Sequence, residues 1–167
     1  IMIRWPVVVL VSLVNYRSWK LYLINMSSLI RNSDRVKQAI DFTGVQNGKI
    51  HPSDVDAVFE FDNKFLILME VKYKDALIPT GQRLLLERMA DAWCANLGKD
   101  AAILKVSHDF ENDKKDVPLD KCQVTYIWDK LGKWKQLEKP VDLVYTLNKL
   151  GEFWKCKKCK FWVKVNI

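Results

Sequence analysis

Two runs of β-type residues, Val55 to Phe61 and Phe65 to Lys72, are separated only by Asp62-Asn63-Lys64. So short a connection predicts an antiparallel hairpin. With three residues in the loop, Phe61 faces Phe65, and counting back sets Asp56 opposite Glu70 and Asp54 opposite Lys72. Side chains alternate faces along a strand, so Glu70 and Lys72 point the same way as Leu66 and Leu68, about 6.5–7 Å apart along the backbone. On the first strand Asp54, Asp56, Val58 and Glu60 share one face, and Val55, Ala57, Phe59 and Phe61 the other. A one-residue slip would undo this pairing, so everything drawn from it depends on the loop.

The rest of the chain reads as elements packed around that hairpin. A short helix is expected through Arg35-Val36-Lys37-Gln38-Ala39-Ile40, with Ser33 as cap and Gly44 beyond its end. Leu86, Ala90, Trp93 and Leu97 recur at helical spacing between Thr80 and Leu97, with Leu85 and Met89 alongside; Thr80 is a natural cap and Gly98 a natural stop. Ala101 to Val106 reads as a buried strand and Asp109 to Asp120 as a polar loop. Cys122 to Trp128 and Trp134 to Leu137 form a second hairpin, and Val141 to Leu150 a closing helix. The order predicts an α/β fold, a small mixed sheet flanked by helices in the order α-β-β-α-β, plus a C-terminal hairpin and helix. At 167 residues, 49% hydrophobic and 28% charged, the chain suits one globular domain and excludes a disordered or fibrous protein. Four unevenly spaced cysteines do not make a secreted disulfide framework, which points to a reducing compartment.

Opposed carboxylates at a Cβ separation of about 4.5–5.5 Å repel unless a proton or a cation sits between them. One or two carboxylates, with water and a substrate phosphate, are the usual surroundings of Mg²⁺. Lys72 would then stand where an ammonium can touch a phosphate or an attacking water.

The run Ser53-Asp54-Val55-Asp56, then Glu70-Val71-Lys72, then Thr80-Gly81-Gln82 opening a helix, resembles the PD-(D/E)xK nuclease superfamily. It is most similar to small phage and prophage nucleases and to nuclease modules of the Holliday-junction resolvase and RecB type. The resemblance spans about residues 30–108 and implies a restriction-endonuclease-like core and a metal-dependent nuclease that hydrolyses DNA phosphodiester bonds with Mg²⁺ or Mn²⁺. It makes Asp56 and Glu70 the metal-binding acids, with the Val71 carbonyl beside them, Lys72 the catalytic lysine, and Gln82 a support for the site near the nucleic-acid backbone. Asp54 competes with Asp56 as first acid, although the hairpin count favours Asp56. The chain departs from the pattern in three places. The proline lies at Pro52, Leu86 stands where a Tyr would follow Gln82, and the first helix lacks a Glu, for which only Asp34 or Asp41 offers a substitute.

The net charge of +7 is uneven. Residues 26–98 hold nine basic and ten acidic side chains, whereas residues 155–167 hold five lysines and no acid. Positive charge with interleaved aromatics suits nucleic acid, so Lys155, Lys157, Lys158 and Lys160, with Lys74 after the E-x-K triplet, are candidate DNA contacts. Cys156 and Cys159 have the spacing of half a zinc site, but no second pair matches them. His51 and His108 lack partners at ligand spacing.

Three segments follow: residues 1–25 as an extension, 26–154 as the nuclease-like domain, and 155–167 as a basic tail. The run Pro6 to Val14 is too short to span a bilayer. It reads as an extension outside the domain, an added strand or helix, or a targeting contact; Met26-Ser27-Ser28 would suit a start. The expected setting is the cytoplasm of a bacterial or phage-infected cell, with DNA as partner, no stable membrane association, and homodimer formation left open. The alternative is a non-catalytic nucleic-acid-binding or assembly protein on the same fold.

Overall fold

Asp62 and Asn63 both take left-handed backbone angles, φ 55° and 54°, and the Lys64 amide donates to the Phe61 carbonyl at 3.0 Å. Asp and Asn are among the few residues that accept this region, so the loop closes as three residues with Phe61 opposite Phe65. The computed structural model describes residues 52–111 and 116–161. In chain order these form β1 (Ala57–Phe61), β2 (Phe65–Tyr73), α1 (Thr80–Cys94), β3 (Asp100–His108), a 3₁₀ turn (Leu119–Lys121), β4 (Gln123–Asp129), β5 (Lys133–Asp142) and α2 (Leu143–Phe153). The helix expected over Arg35–Ile40, with Ser33, Asp34 and Asp41, lies outside the described residues, as do His51 and residues 1–25.

The five strands make one mixed sheet in the order β1-β2-β3-β4-β5. Only β2 and β3 run parallel, and α1 is the crossover that a parallel pair requires. The two helices cover opposite faces. On one face Leu66 and Leu68 of β2 and Ala101 and Ile103 of β3 pack with Leu86 and Ala90 of α1 and Trp128 of β4. On the other, Ile67, Met69, Leu104, Val106 and Val124 pack against Leu143 and Leu147 of α2. Alternation along β2 therefore divides its apolar run between two cores and carries Glu70 onto the α1 face.

The β4 strand changes phase midway. Lys105 pairs with Tyr126 and Val106 with Val124, so Thr125 is the extra residue of a β-bulge. Val124 packs on the α2 face. Without the bulge Tyr126 would follow it there; with it, Tyr126 stands beside Lys105 on the α1 face.

Several boundaries differ from the sequence expectation. The ladder of β1 starts at Ala57 and not Val55. Helix α1 is preceded by Pro79 with no side-chain cap, so Thr80 is its first residue and not its N-cap. The helix ends at Cys94, where the Asn96 side chain bonds the Ala92 and Trp93 carbonyls. Leu97 thus falls beyond the helix and is fully exposed, outside the stripe it was expected to join, while Gly98 turns the chain at φ 77°. Leu85 and Met89 flank the buried stripe and are exposed. The last helix starts at Leu143, capped by the Asp142 carboxylate, which accepts from the Tyr145 amide at 2.7 Å.

After α2, residues 155–161 fold back on the α2 face. Phe161 meets the Phe59 ring edge-on with centroids 4.9 Å apart, Trp154 stacks on Phe65 at 5.1 Å, and Asn148 exchanges two hydrogen bonds with the Phe161 backbone. Gly151 permits this approach, since a Cβ there would lie 2.4 Å from the Cys159 carbonyl oxygen.

Because Leu86 is enclosed between α1 and the sheet, Leu86→Ala is expected to cost about 2–5 kcal/mol in urea unfolding. Leu97→Ala should change stability by less than about 0.5 kcal/mol. Equal costs at the two positions would contradict this packing.

Candidate active site

Glu70 is 1% exposed, a carboxylate at the end of an apolar strand. Desolvating it is unfavourable unless donors replace the lost water. Two elements supply them. Lys72, two residues along β2, ion-pairs with Oε1, and Gln82 in the first turn of α1 donates from Nε2 to Oε2 at 2.7 Å. The same Gln82 amide reaches the Asp54 carbonyl at 3.3 Å, joining the segment before β1 to the helix.

Asp56 is the residue immediately before the β1 ladder. Its Oδ2 accepts from the Val71 amide at 2.6 Å, so the side chain takes over where backbone pairing stops. Burial raises the Glu70 carboxyl above its ordinary 4.5; the Lys72 contact opposes this, and the negative charges of Asp56 and Asp54 add to it. The structure therefore brings Asp56, Glu70, Val71, Lys72 and Gln82 together, with Asp54 touching through its backbone carbonyl.

Hard oxygen donors are what Mg²⁺ takes, usually one or two carboxylates with water completing the shell. Asp56, Glu70 and the Val71 carbonyl meet that requirement in kind and number, and a cation between the two acids would relieve the repulsion that Glu70 feels. Among the described residues no three His, Cys, Asp or Glu side chains gather into a metal cluster, so such an ion would rely on solvent and substrate for the rest.

The other candidates lie elsewhere. Lys155, Lys157, Lys158 and Lys160 belong to the turn packed on the α2 face, across the sheet from Glu70, and Lys158 is ion-paired with Asp62. Lys74, exposed at the end of β2, lies over the Tyr73 ring at 4.9 Å and 4.0 Å from Glu111. Burial and the neighbouring Cys156 push the Cys159 thiol up to about 12, which keeps it protonated at neutral pH. His108 sits between Tyr73 and Phe110, its Nδ1 buried without a partner among the described residues.

Lys105 was not foreseen. It is 5% exposed on the same face as Glu70 and pairs with it in register across β2 and β3. A lysine inside Ala101-Ala102-Ile103-Leu104-Lys105-Val106, an otherwise apolar strand, was the available signal.

No protein-family model, curated protein or solved structure matches this chain. Among the described residues no helix is long and apolar enough to cross a membrane.

The Glu70 environment sets a pH dependence. The folded protein holds this proton more tightly than the unfolded chain does, so the group favours folding below pH 4.5 and that contribution is lost as pH rises through the raised value. Glu70→Gln is therefore expected to melt above wild type at neutral pH, the gain shrinking toward pH 4.5. Thermal melts across this range would contradict the assignment if the difference stayed constant.

Proposed function

We propose that the α1 face of the sheet is the active site of a metal-dependent nuclease that hydrolyses DNA phosphodiester bonds, on a restriction-endonuclease-like core. The observation that carries this reading is the enclosed Glu70 carboxylate, bound by a lysine two residues along its strand and by a glutamine opening the next helix, with a second carboxylate beside it. A merely structural ion pair has no need of Asp56, whose charge makes Glu70 harder to ionise.

In this reading Asp56, Glu70 and the Val71 carbonyl would hold Mg²⁺ or Mn²⁺, which supplies charge for the phosphate and acidity for a bound water. Lys72 neutralises charge developing on the phosphate or orients the attacking water. Gln82 keeps Glu70 aimed as Lys72 moves between carboxylate and substrate. Asp54 contributes its carbonyl to the anchoring of Gln82. The cytoplasm and a DNA partner follow from the same reading.

A second reading is favoured by one feature. Both Glu70 oxygens are already engaged, by Lys72 and Gln82, as they would be in a structural knot on a non-catalytic nucleic-acid-binding protein. Cleavage assays separate the two. With single-stranded, duplex, flapped and four-way-junction DNA plus Mg²⁺ or Mn²⁺, the wild type is expected to cut at least one substrate, and Lys72→Ala to lose about a hundredfold or more. DNA binding that survives EDTA, with no cleavage of any substrate, would favour the binding protein. Lys72→Ala cutting at the wild-type rate would remove Lys72 from the mechanism.

A further inference from the structure

Glu70, Lys105, Tyr126 and Gln136 stand in register on four successive strands. Strands are about 4.8 Å apart, so Lys105 lies one strand spacing and Tyr126 two from the acid. The Lys105 ammonium lies 5.2 Å from the centre of the Tyr126 ring, and it makes no hydrogen bond or ion pair among the described residues. A lysine so enclosed is costly unless its charge is used. Glu70 does not use it, being met by Lys72 and Gln82.

Lys105 instead opens onto a cavity of about 330 Å³ whose other walls include Leu77, Ile78, Arg83, Tyr126 and Trp134. Two of these residues are cations and two are aromatic. Trp134 is fixed by its indole N–H, which donates to Glu87 at 2.6 Å, and Glu87 also lies 3.6 Å from Arg83. A neighbouring space of about 350 Å³ shares Leu77, Lys105 and Tyr126 with it but is also lined by Asp75 and Glu138, which would repel an anion there and leave the first as the anion-accepting one. The bulge at Thr125, whose hydroxyl donates to the Lys105 carbonyl at 3.3 Å, is what turns Tyr126 into this cavity.

We infer that this cavity is a nucleotide subsite, in which Lys105 and Arg83 hold a phosphate of a DNA strand and Tyr126 and Trp134 stack a base next to the phosphate at Glu70. This deepens the nuclease reading and rests on it for the identity of the strand. Cations set beside aromatic faces are how proteins hold single strands without reading sequence. The subsite would place the strand across the sheet, from β2 toward β5.

The test measures binding of a short fluorescein-labelled single-stranded DNA oligonucleotide to the full chain by anisotropy, in EDTA so that nothing is cut. Lys105→Met and Tyr126→Leu are each expected to weaken binding about fivefold or more, and Lys105→Met to reduce the salt dependence by about one counterion. Lys105→Met should melt no lower than wild type, because it removes an unpaired buried charge and keeps the stem. If that variant does not fold, Arg83→Gln, a half-exposed residue near the start of α1, tests the same phosphate contact. Binding by Tyr126→Leu and either cation variant at wild-type strength and salt slope would overturn the subsite. So would deoxyadenosine monophosphate binding through Lys105 as tightly as the oligonucleotide, which would assign the cavity to a free nucleotide. Lys105-dependent binding by a wild type that cuts nothing would sink the nuclease reading and keep the subsite. Cleavage with Lys105-independent binding would do the reverse.

Discussion

The enclosed carboxylate of Glu70 is the constraint around which the α1 face is arranged. A carboxylate kept from water requires donors, and here they come from two directions, Lys72 along the same strand and Gln82 from the helix that follows. This ties the start of α1 to the end of β2. Gln82 also touches the Asp54 carbonyl, so the approach to β1 is drawn into the same contact. Asp56 completes the arrangement through the Val71 amide. Three pieces of chain distant in sequence are thereby brought to one point on a sheet whose own core is apolar.

The sheet contributes by dividing its residues cleanly. Alternation along β2 and β3 sends Ile67, Met69, Leu104 and Val106 toward α2 and leaves Glu70, Lys72 and Lys105 on the α1 side. Above Leu68 and Ile103 that face changes from apolar to charged, and the change falls where α1 begins. Helix α1 therefore covers the apolar part of the face, and its first turn brings Gln82 to the charged part, where Glu70 and Lys105 are buried. The bulge in β4 carries the same polarity onward by adding Tyr126 to the charged end.

Much of this was legible in the sequence because the hairpin loop is short. Three residues between two β-type runs leave one sensible register, and Phe61 does face Phe65. The Leu86 and Ala90 stripe was equally plain, since a helix on a sheet needs apolar residues at that spacing. The strand β5 was harder to see. It runs to Asp142, where only Trp134 to Leu137 looked extended, because Pro140 and the charged Glu138 and Lys139 disguise it. As an edge strand it tolerates a proline that an inner strand would not. The segment after α2 was expected as a basic tail with its aromatics interleaved for nucleic acid, whereas Trp154 packs on Phe65 and Phe161 on Phe59, anchoring residues 155–161 to the sheet. Tyr126 could not be placed from alternation alone, because a bulge resets the phase and leaves no mark in the residue pattern. The candidate acids were found by counting, while the contact of Asp56 with the Val71 amide depends on the β1 ladder starting at Ala57, where the count had carried the pairing back to Asp54.

In the proposed active site Asp56 and Glu70 together hold a divalent cation beside Lys72. Electron paramagnetic resonance of Mn²⁺ titrated into the full chain addresses this directly, without any substrate. Wild type is expected to remove free Mn²⁺ signal, and Asp56→Asn and Glu70→Gln, folded by thermal melting, to do so at least about tenfold more weakly, as expected on loss of one carboxylate from a site that has two. Mn²⁺ bound equally by wild type and both variants would contradict it.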